Sequence, residues 1–455
     1  MRNLYSIALF TALVASAACG SDSKSAPATA NAVIPADGFI GRKVRVEISG
    51  DNTTWTSAAT VTFGDGITVG SVSLASPTDL FAEITIAPTA AEGLRDVTVT
   101  DGGTTTTLTQ AFSISNPVTI KLEGTIAQGS IGLFTITNHD FENPFDTTST
   151  GGGFSPVVYT NLAISSPAGT TFQLSNVTAY SAAGTVFLDT TATSGPLTVM
   201  SGPAGGDIVT SPAPAITVAA RTATVLMPGM AQQSTVTKPF DSALYELDIP
   251  AAAATLARVK TTTTSATGKP IVILLPASGA WADEVASGAS VAQVATAATK
   301  YYAITLDEQG NSGFAYSVTG ATAAMTVVNE VEPNNTVGQA QAAPAMYPAL
   351  LTGASGSATL TDDTDVDFIK VTVPAGKAVH VITLPGDAQC DTVVDVFNAT
   401  GQTSLGGPSS DSNYHEDFTS SVVPSAGTYL VQITASQQGF FDPTMNHYQA
   451  AIFFE

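Results

Sequence analysis

The segment Asp363-Thr364-Asp365-Val366-Asp367-Phe368-Ile369-Lys370-Val371-Thr372-Val373 ends in a strict alternation of apolar and polar residues. A period of two is typical of a β-strand that buries one face. The same period recurs in residues 43–48, 96–100 and 427–433, and Gly, Pro, Asp and Asn separate such runs along the chain. Alternating runs joined by turn residues indicate antiparallel sandwiches. The sequence therefore predicts an all-β chain of tandem β-sandwich domains.

The N-terminus has the pattern of an export signal. Arg2 precedes an almost wholly apolar stretch from Leu4 to Ala18, which is too short to cross a membrane comfortably. The junction Ser16-Ala17-Ala18-Cys19-Gly20 resembles the lipobox of bacterial lipoproteins. This resemblance implies that residues 1–18 are a signal peptide, that cleavage occurs before Cys19, and that Cys19 is acylated. A plain secretory signal cut after Ala18 is the alternative.

The lipoprotein resemblance also implies where the protein resides. Acyl chains on Cys19 would anchor it to the bacterial cell envelope, and Gly20 lacks the acidic retention signal of some bacteria, which favours the outer membrane or cell surface. Residues 19–31 are small and polar and are expected to form a disordered tether. The only other cysteine is Cys390, so an acylated Cys19 leaves no internal disulfide.

The composition excludes some classes of partner. The 455 residues carry a formal net charge of −22. Such a surface repels nucleic acid and anionic lipid headgroups, so neither is expected as a partner. It is compatible with divalent cations.

Residues 32–116 carry a first family resemblance. The segments 34–38, 44–50, 61–69, 82–86, 93–100 and 111–114 follow one another in the order and spacing of an IPT/TIG domain, which is an immunoglobulin-like module. The resemblance implies a β-sandwich in which Phe63 packs between the sheets. Residues 117–228 are β-patterned, with long stretches rich in Gly, Ser, Thr and Pro, and resemble no family that we can assign.

Residues 326–455 resemble the bacterial pre-peptidase C-terminal (PPC) domain. The resemblance is carried by Val331-Glu332-Pro333-Asn334-Asn335, by residues 362–368, and by the strands at 371–376, 390–397 and 426–433. It implies a jelly-roll-like sandwich.

Residues 229–325 look like a degenerate copy of that domain. Residues 240–251 echo 365–375, but Ser242-Ala243-Leu244 replaces most of the acidic run, and the Glu-Pro-Asn segment is missing. Residues 229–325 are therefore not expected to share the function of these acidic residues. It also contains the best candidate for a helix, the Ala-rich segment 280–299, which Gly288 interrupts.

The acids of the last domain suggest a metal site. Asp367 shares the parity of Ile369 and Val371, so its carboxylate is expected on the core side of the strand. A charged group there needs a cation, a lysine or several N–H donors. Positive charge is scarce, because residues 326–455 hold fourteen Asp and Glu against Lys370 and Lys377 alone.

Clustered carboxylate and amide oxygens are the ligands that Ca²⁺ prefers. Collagen-binding members of the PPC family use acids in the two corresponding segments for calcium. By that resemblance, the candidate ligands are Glu330, Glu332, Asn334, Asp362, Asp365 and Asp367. The alternative is that the motif is hydrogen-bonded turn chemistry without a metal.

No catalytic arrangement emerges from the sequence. The four histidines lie far apart, none forms a His-x-x-x-His pair, and no nucleophile elbow or phosphate loop follows a predicted strand. We therefore predict a non-catalytic envelope lipoprotein built of interaction or structural β-sandwich modules. A calcium-dependent, adhesin-like module that binds an extracellular protein or polysaccharide is the alternative, and an accessory protein of a secreted hydrolase is a minor one.

Overall fold

A computed structural model describes residues 26–152, 155–202, 209–250, 254–281, 286–352, 358–359, 365–385, 392–409, 416–435 and 447–455. The described residues form strands and no α-helix, so the all-β prediction is confirmed. They contain no helix long and apolar enough to span a membrane. The chain divides into two compact units between Pro117 and Val118.

The first unit is a sandwich of two four-stranded sheets, ordered β1-β3-β6-β5 and β2-β8-β7-β4. Phe63 lies between them and meets Phe112 edge to face at 5.2 Å, as the sequence predicts. The strand β1 begins at Thr29, so the last residues of the predicted tether belong to the sandwich, where they pair with β3. Its strands are β1 (Thr29–Ile34), β2 (Asp37–Phe39), β3 (Lys43–Asp51), β4 (Thr60–Thr62), β5 (Ile67–Ser76), β6 (Asp79–Ile86), β7 (Gly93–Asp101) and β8 (Thr104–Ser115).

The second unit begins with another sandwich. Its sheets are ordered β14-β15-β10-β9 and β13-β16-β17, with a separate β11-β12 pair, around a core that includes Phe134, Val186 and Leu197. The strands are β9 (Val118–Gly124), β10 (Ser130–Asn138), β11 (Ser149–Gly152), β12 (Ser155–Tyr159), β13 (Leu162–Ser165), β14 (Thr170–Thr178), β15 (Ser181–Leu188), β16 (Gly195–Ser201) and β17 (Val209–Ile216).

The third sandwich has sheets ordered β18-β20-β25-β22-β23 and β19-β26-β21-β24. Its first strand pairs Thr224 with Tyr245, so this sandwich begins before the predicted residue 229. Within the segment 280–299, residues 286–288 and 290–295 form strands rather than a helix, because Ala292 and Ala295 pack into apolar layers on opposite sides of β24. The strands are β18 (Thr224–Val225), β19 (Ala231–Val236), β20 (Ala243–Ile249), β21 (Thr255–Thr262), β22 (Pro270–Leu275), β23 (Ala286–Gly288), β24 (Ser290–Ala295), β25 (Thr299–Asp307) and β26 (Phe314–Ala324).

The fourth sandwich has one sheet ordered β27-β28-β35-β31-β33, in which β29 also pairs with β35, and a second ordered β30-β34-β32. Its core contains Ile369, Val371 and Tyr448. The strands are β27 (Thr326–Asn329), β28 (Ala349–Thr352), β29 (Ala358–Thr359), β30 (Val366–Val373), β31 (Val379–Pro385), β32 (Thr392–Asn398), β33 (Asp417–Thr419), β34 (Gly427–Ala435) and β35 (His447–Phe454).

The third and fourth sandwiches share one topology. The order β20-β25-β22 corresponds to β30-β34-β32, and β26-β21-β24 corresponds to β35-β31-β33. The registers also correspond, because Ile249 pairs with Thr299 as Val373 pairs with Gly427. Counting along these ladders places Ala243 at the position of Asp367. The same counting from the Thr255–Ala324 and Val379–Phe454 pairs places Val318 at the position of Tyr448.

The third sandwich is covered on both outer faces. Leu244, Ile273 and Ile304 point away from its core and pack against Ile131 and Phe187 of the second sandwich. On the other side, Leu256 and Val294 pack in an apolar cluster with Leu350, Ile382 and Phe453 of the fourth. Double-sided burial explains why its strands read as continuous apolar runs, such as Ile271-Val272-Ile273-Leu274.

Candidate metal centre

Two segments build the acidic site. Glu330 and Glu332 follow β27, and Asp367 lies at the start of β30. Backbone hydrogen bonds fasten the first segment along the second: Phe368 donates to the carbonyl of Asn334 at 3.2 Å, and Gln341 donates to that of Phe368 at 2.8 Å. As a result, one carboxylate oxygen from each of Glu330, Glu332 and Asp367 lies within 4.8 Å of the other two.

Asn334 closes the site from the loop side and is fully buried. Its backbone N–H donates to Oε2 of Glu332 at 2.8 Å, and its side-chain amide donates to Oε1 of Glu330 at 3.3 Å. Its Oδ1 is buried and accepts no hydrogen bond from any described residue. Since an unpaired buried acceptor loses its hydration without compensation, this oxygen needs an explanation.

Asp367 points inward, as its parity predicts, and its exposed fraction is 0%. Its Oδ2 accepts a hydrogen bond from the hydroxyl of Tyr448, whereas its Oδ1 is buried and has no hydrogen-bond partner in the part of the chain that the structure describes. None of the ion pairs formed among the described residues includes Asp367. Two buried oxygens, one amide and one carboxylate, therefore lack donors in the same site.

The electrostatics of the site agree with this geometry. Burial raises the pKa of Asp367 to about 7, and the nearby charges of Glu330 and Asp365 add to the effect. The hydrogen bond from Tyr448 and the nearby Asn334 side chain lower the pKa but do not offset the loss of hydration. A cation at this position would hold the Asp367 carboxylate in its charged form.

The predicted ligands are only partly brought together. Glu330, Glu332 and Asp367 form the group, and the Asn334 amide is bonded into it. Asp365 is buried, and its Oδ1 accepts from the Val366 N–H at 2.9 Å, but it does not join that group. Asp362 lies outside the described residues, as do Cys19 and Cys390. The oxygens present fit the donor set that Ca²⁺ prefers.

The third sandwich gives an internal comparison. Where the fourth has the hydrogen-bonded pair Asp367 and Tyr448, the third has Ala243 and Val318, of which Val318 is fully buried in the core. The shared fold therefore does not require the polar pair. The sequence analysis did not identify Tyr448 as a site residue. In the pairing of β31 with β35 it lies opposite Pro385, which has the same parity as the core residues Val379 and Val381, so its side chain faces the core.

The third sandwich keeps one acidic residue of this segment, Asp241, in a different contact. Asp241 precedes Ala243 by two residues, as Asp365 precedes Asp367. It accepts hydrogen bonds from the Thr125 hydroxyl at 2.6 Å and from the Thr237 N–H at 3.1 Å. Thr125 follows β9, so this carboxylate fastens the second sandwich to the third and is fully engaged in that contact.

No family model matches the chain, and no curated protein matches it. Similar solved structures include the Bacteroides ovatus mixed-linkage glucan utilization locus protein SGBP-B with a heptasaccharide, at 13% identity over 63% of this chain and 76% of that one, with a TM-score of 0.15. The Escherichia coli adhesin FdeC has 14% identity over 65% and 96%, with a TM-score of 0.16. An I-band fragment of titin has 10% identity over 66% and 98%, with a TM-score of 0.17. At these values, no function is carried over to this chain.

Proposed function

We propose that this chain is an exported, lipid-anchored, non-catalytic protein of the cell envelope, and that its last β-sandwich binds calcium. The observation that supports the calcium site is the pair of buried, unpartnered oxygens, Asn334 Oδ1 and Asp367 Oδ1, beside Glu330 and Glu332. Hydrogen-bonded turn chemistry alone leaves both oxygens without a donor. A calcium ion supplies the missing positive charge and ligates oxygens of these types.

Calcium would act on the loop that follows β27. The ligands come from the loop and from β30, and β30 is bonded to β35 through Asp367 and Tyr448. One ion therefore crosslinks three segments of the fourth sandwich and orders the surface that the loop forms. A calcium-dependent surface of this kind suits a module that binds an extracellular protein or polysaccharide, which is the second candidate function.

The non-catalytic part of the proposal has support from His380. In catalytic triads a carboxylate orients the histidine that acts as the base, and Asp417 is hydrogen-bonded to His380 in that way. However, its Nδ1 lies 3.6 Å from Glu455, and its ring stacks on Phe453 at 4.3 Å. No described serine, threonine or cysteine forms a hydrogen bond with His380, so none of the described residues is a nucleophile that the ring could activate.

Calcium binding is tested on the purified protein from Gly20 onward. We expect titration calorimetry to show one site and calcium to raise the melting temperature by a few degrees over chelator, since a hundredfold excess over Kd adds about 2.7 kcal/mol. Asp367→Asn should remove most of that difference, because the amide keeps the shape and loses the charge. Asp248→Asn, at an exposed strand position of the third sandwich, is the matched control and should keep it.

The turn alternative predicts another result. If Asp367 serves only as a hydrogen-bond acceptor for Tyr448, Asp367→Asn lowers the melting temperature equally in calcium and in chelator. Identical melting curves of the unmodified protein in the two buffers would contradict the calcium site. The whole protein is needed for this test, because an isolated fourth sandwich would expose the apolar face that contains Leu350 and Ile382.

Anchoring is tested separately with Cys19→Ser. Without the cysteine sulfur, acylation cannot occur, so we expect an uncleaved precursor or release of the protein into soluble fractions. Cell fractionation with metabolic labelling by a fatty acid checks this outcome. Normal maturation of Cys19→Ser together with membrane fractionation would show that the anchor is not at this residue.

A further inference from the structure

We propose that His380 is a pH-dependent latch between the third and fourth sandwiches, closed when its imidazole is protonated and weakened when it is neutral. This junction is separate from the calcium site. A chain of four charged or titratable side chains runs across it.

The latch lies on the face where the two sandwiches meet. In β31, Val379 and Val381 point into the core of the fourth sandwich, whereas Ile382 joins the apolar cluster shared with the third. His380 has the parity of Ile382 and an exposed fraction of 5%. Its imidazole is therefore buried beside the junction rather than in the core.

Two carboxylates flank the ring. Nε2 of His380 is hydrogen-bonded to Oδ1 of Asp417, which lies at the start of β33, and Nδ1 lies 3.6 Å from Oε1 of Glu455, which follows β35. The ring also stacks on Phe453 at 4.3 Å with an interplanar angle of 25°. Nδ1 is buried and makes no hydrogen bond at this separation.

The third sandwich contributes the fourth group. Arg258 on β21 donates from its guanidinium to Oε1 of Glu455, the same oxygen that faces His380, and lies 5.2 Å from the centre of the Phe453 ring. Glu455 thus connects a cation of the third sandwich with the imidazole of the fourth. Arg258 and Glu455 form the only ion pair that joins these two sandwiches among the described residues.

The charge balance of the junction depends on the imidazole. With His380 protonated, the cations Arg258 and His380 balance the carboxylates Asp417 and Glu455. With His380 neutral, the group keeps one excess negative charge in partly buried surroundings, which is unfavourable. The other elements packed here add no partner: β24 and β28 carry no charged residue, and Lys260 of β21 is exposed.

The direction of the pH effect follows from the same contacts. Burial lowers the pKa of His380, but the hydrogen bond to Asp417 and the negative charges of Asp417 and Glu455 outweigh it, so the pKa is raised above its ordinary value. His380 and Arg258 in turn lower the pKa of Glu455. A raised histidine pKa stabilises the fold fully below about 6.5, and this contribution is lost as the pH rises through the raised value.

The test compares the purified protein with His380→Gln in the same buffer, so that any titration of Asp367 contributes equally to both. We expect the melting temperature of the unmodified protein to fall between about pH 6 and about pH 8.5 more than that of His380→Gln. Hydrogen-exchange protection factors, which correct for the intrinsic rise of exchange with pH, should fall in residues 254–262 and 447–455 over the same range in the unmodified protein only. His139→Gln, at an exposed histidine of the second sandwich, should behave like the unmodified protein.

A second measurement does not depend on a folded variant. In the unmodified protein, the ring resonance of His380, which His380→Gln or selective labelling identifies, should titrate above about 6.5. Titration of His380 below that value, or the same fall of melting temperature in the unmodified protein and His380→Gln, would overturn the latch. A raised titration together with the lost pH dependence in His380→Gln supports it.

Discussion

Trp281→Ala is expected to destabilise the second unit by about 3–5 kcal/mol, the usual cost of truncating a buried aromatic side chain. The ring packs with Phe187 of the second sandwich at 5.1 Å, and only 8% of Trp281 is exposed. Its indole N–H donates to the carbonyl of Leu188 at 2.9 Å, and its backbone N–H donates to Oδ1 of Asp189 at the same distance. Truncation thus removes the centre of the contact between the second and third sandwiches.

Calorimetric unfolding of the whole protein measures this effect. Because the apolar junction couples the two sandwiches, we expect a broader or divided transition in Trp281→Ala. Trp281→Phe keeps the contact with Phe187 but leaves the Leu188 carbonyl without its donor, so a smaller loss of about 1–2 kcal/mol is expected. A loss below about 1 kcal/mol for Trp281→Ala would show that the junction does not hold the sandwiches together.

The second large effect concerns Asp367 in metal-free protein. Its folded-state pKa of about 7 lies above the ordinary value near 3.8 because burial disfavours the charged form. The folded state therefore holds a proton that the unfolded state releases, and stability is lost as the pH rises from about 4 through about 7. A shift of roughly 3 units corresponds to about 4 kcal/mol at most.

Denaturant unfolding in chelator checks this prediction. The difference in free energy of unfolding between the unmodified protein and Asp367→Asn isolates the carboxylate, because His380 contributes equally to both. We expect that difference to change with pH in chelator and to become nearly constant in saturating calcium, which holds the carboxylate charged. A difference that does not depend on pH in chelator would mean that Asp367 is ionised in the folded protein over the whole range.

Local periodicity accounts for much of what could be predicted. The parity of Ile369 and Val371 placed Asp367 on the buried side, and the structure confirms this orientation. Successive side chains of a strand point to opposite faces, so one series of apolar residues sets the orientation of every neighbouring side chain. The sequence similarity between residues 240–251 and 365–375 was likewise informative, because the two segments contain β20 and β30, which occupy equivalent positions in their sheets.

Other features depended on contacts between distant residues. The Ala-rich segment 280–299 has helical propensity, yet both faces of β24 meet apolar surfaces, and residues 286–288 and 290–295 form strands. Tyr448 lies 81 residues from Asp367 along the chain and reaches it only through the pairing of β31 with β35. Neither result follows from the order of residues within a local window.

Residue type and a period of two were enough to predict the strand class, the orientation of Asp367 and the scarcity of positive charge around it. Three other features emerge only from the folded chain: the oxygens that remain without donors, the cover on both faces of the third sandwich, and the chain of Arg258, Glu455, His380 and Asp417. Hydrogen-bond satisfaction and charge balance are sums over all neighbours in space. They are fixed only when segments far apart in the chain are brought into contact.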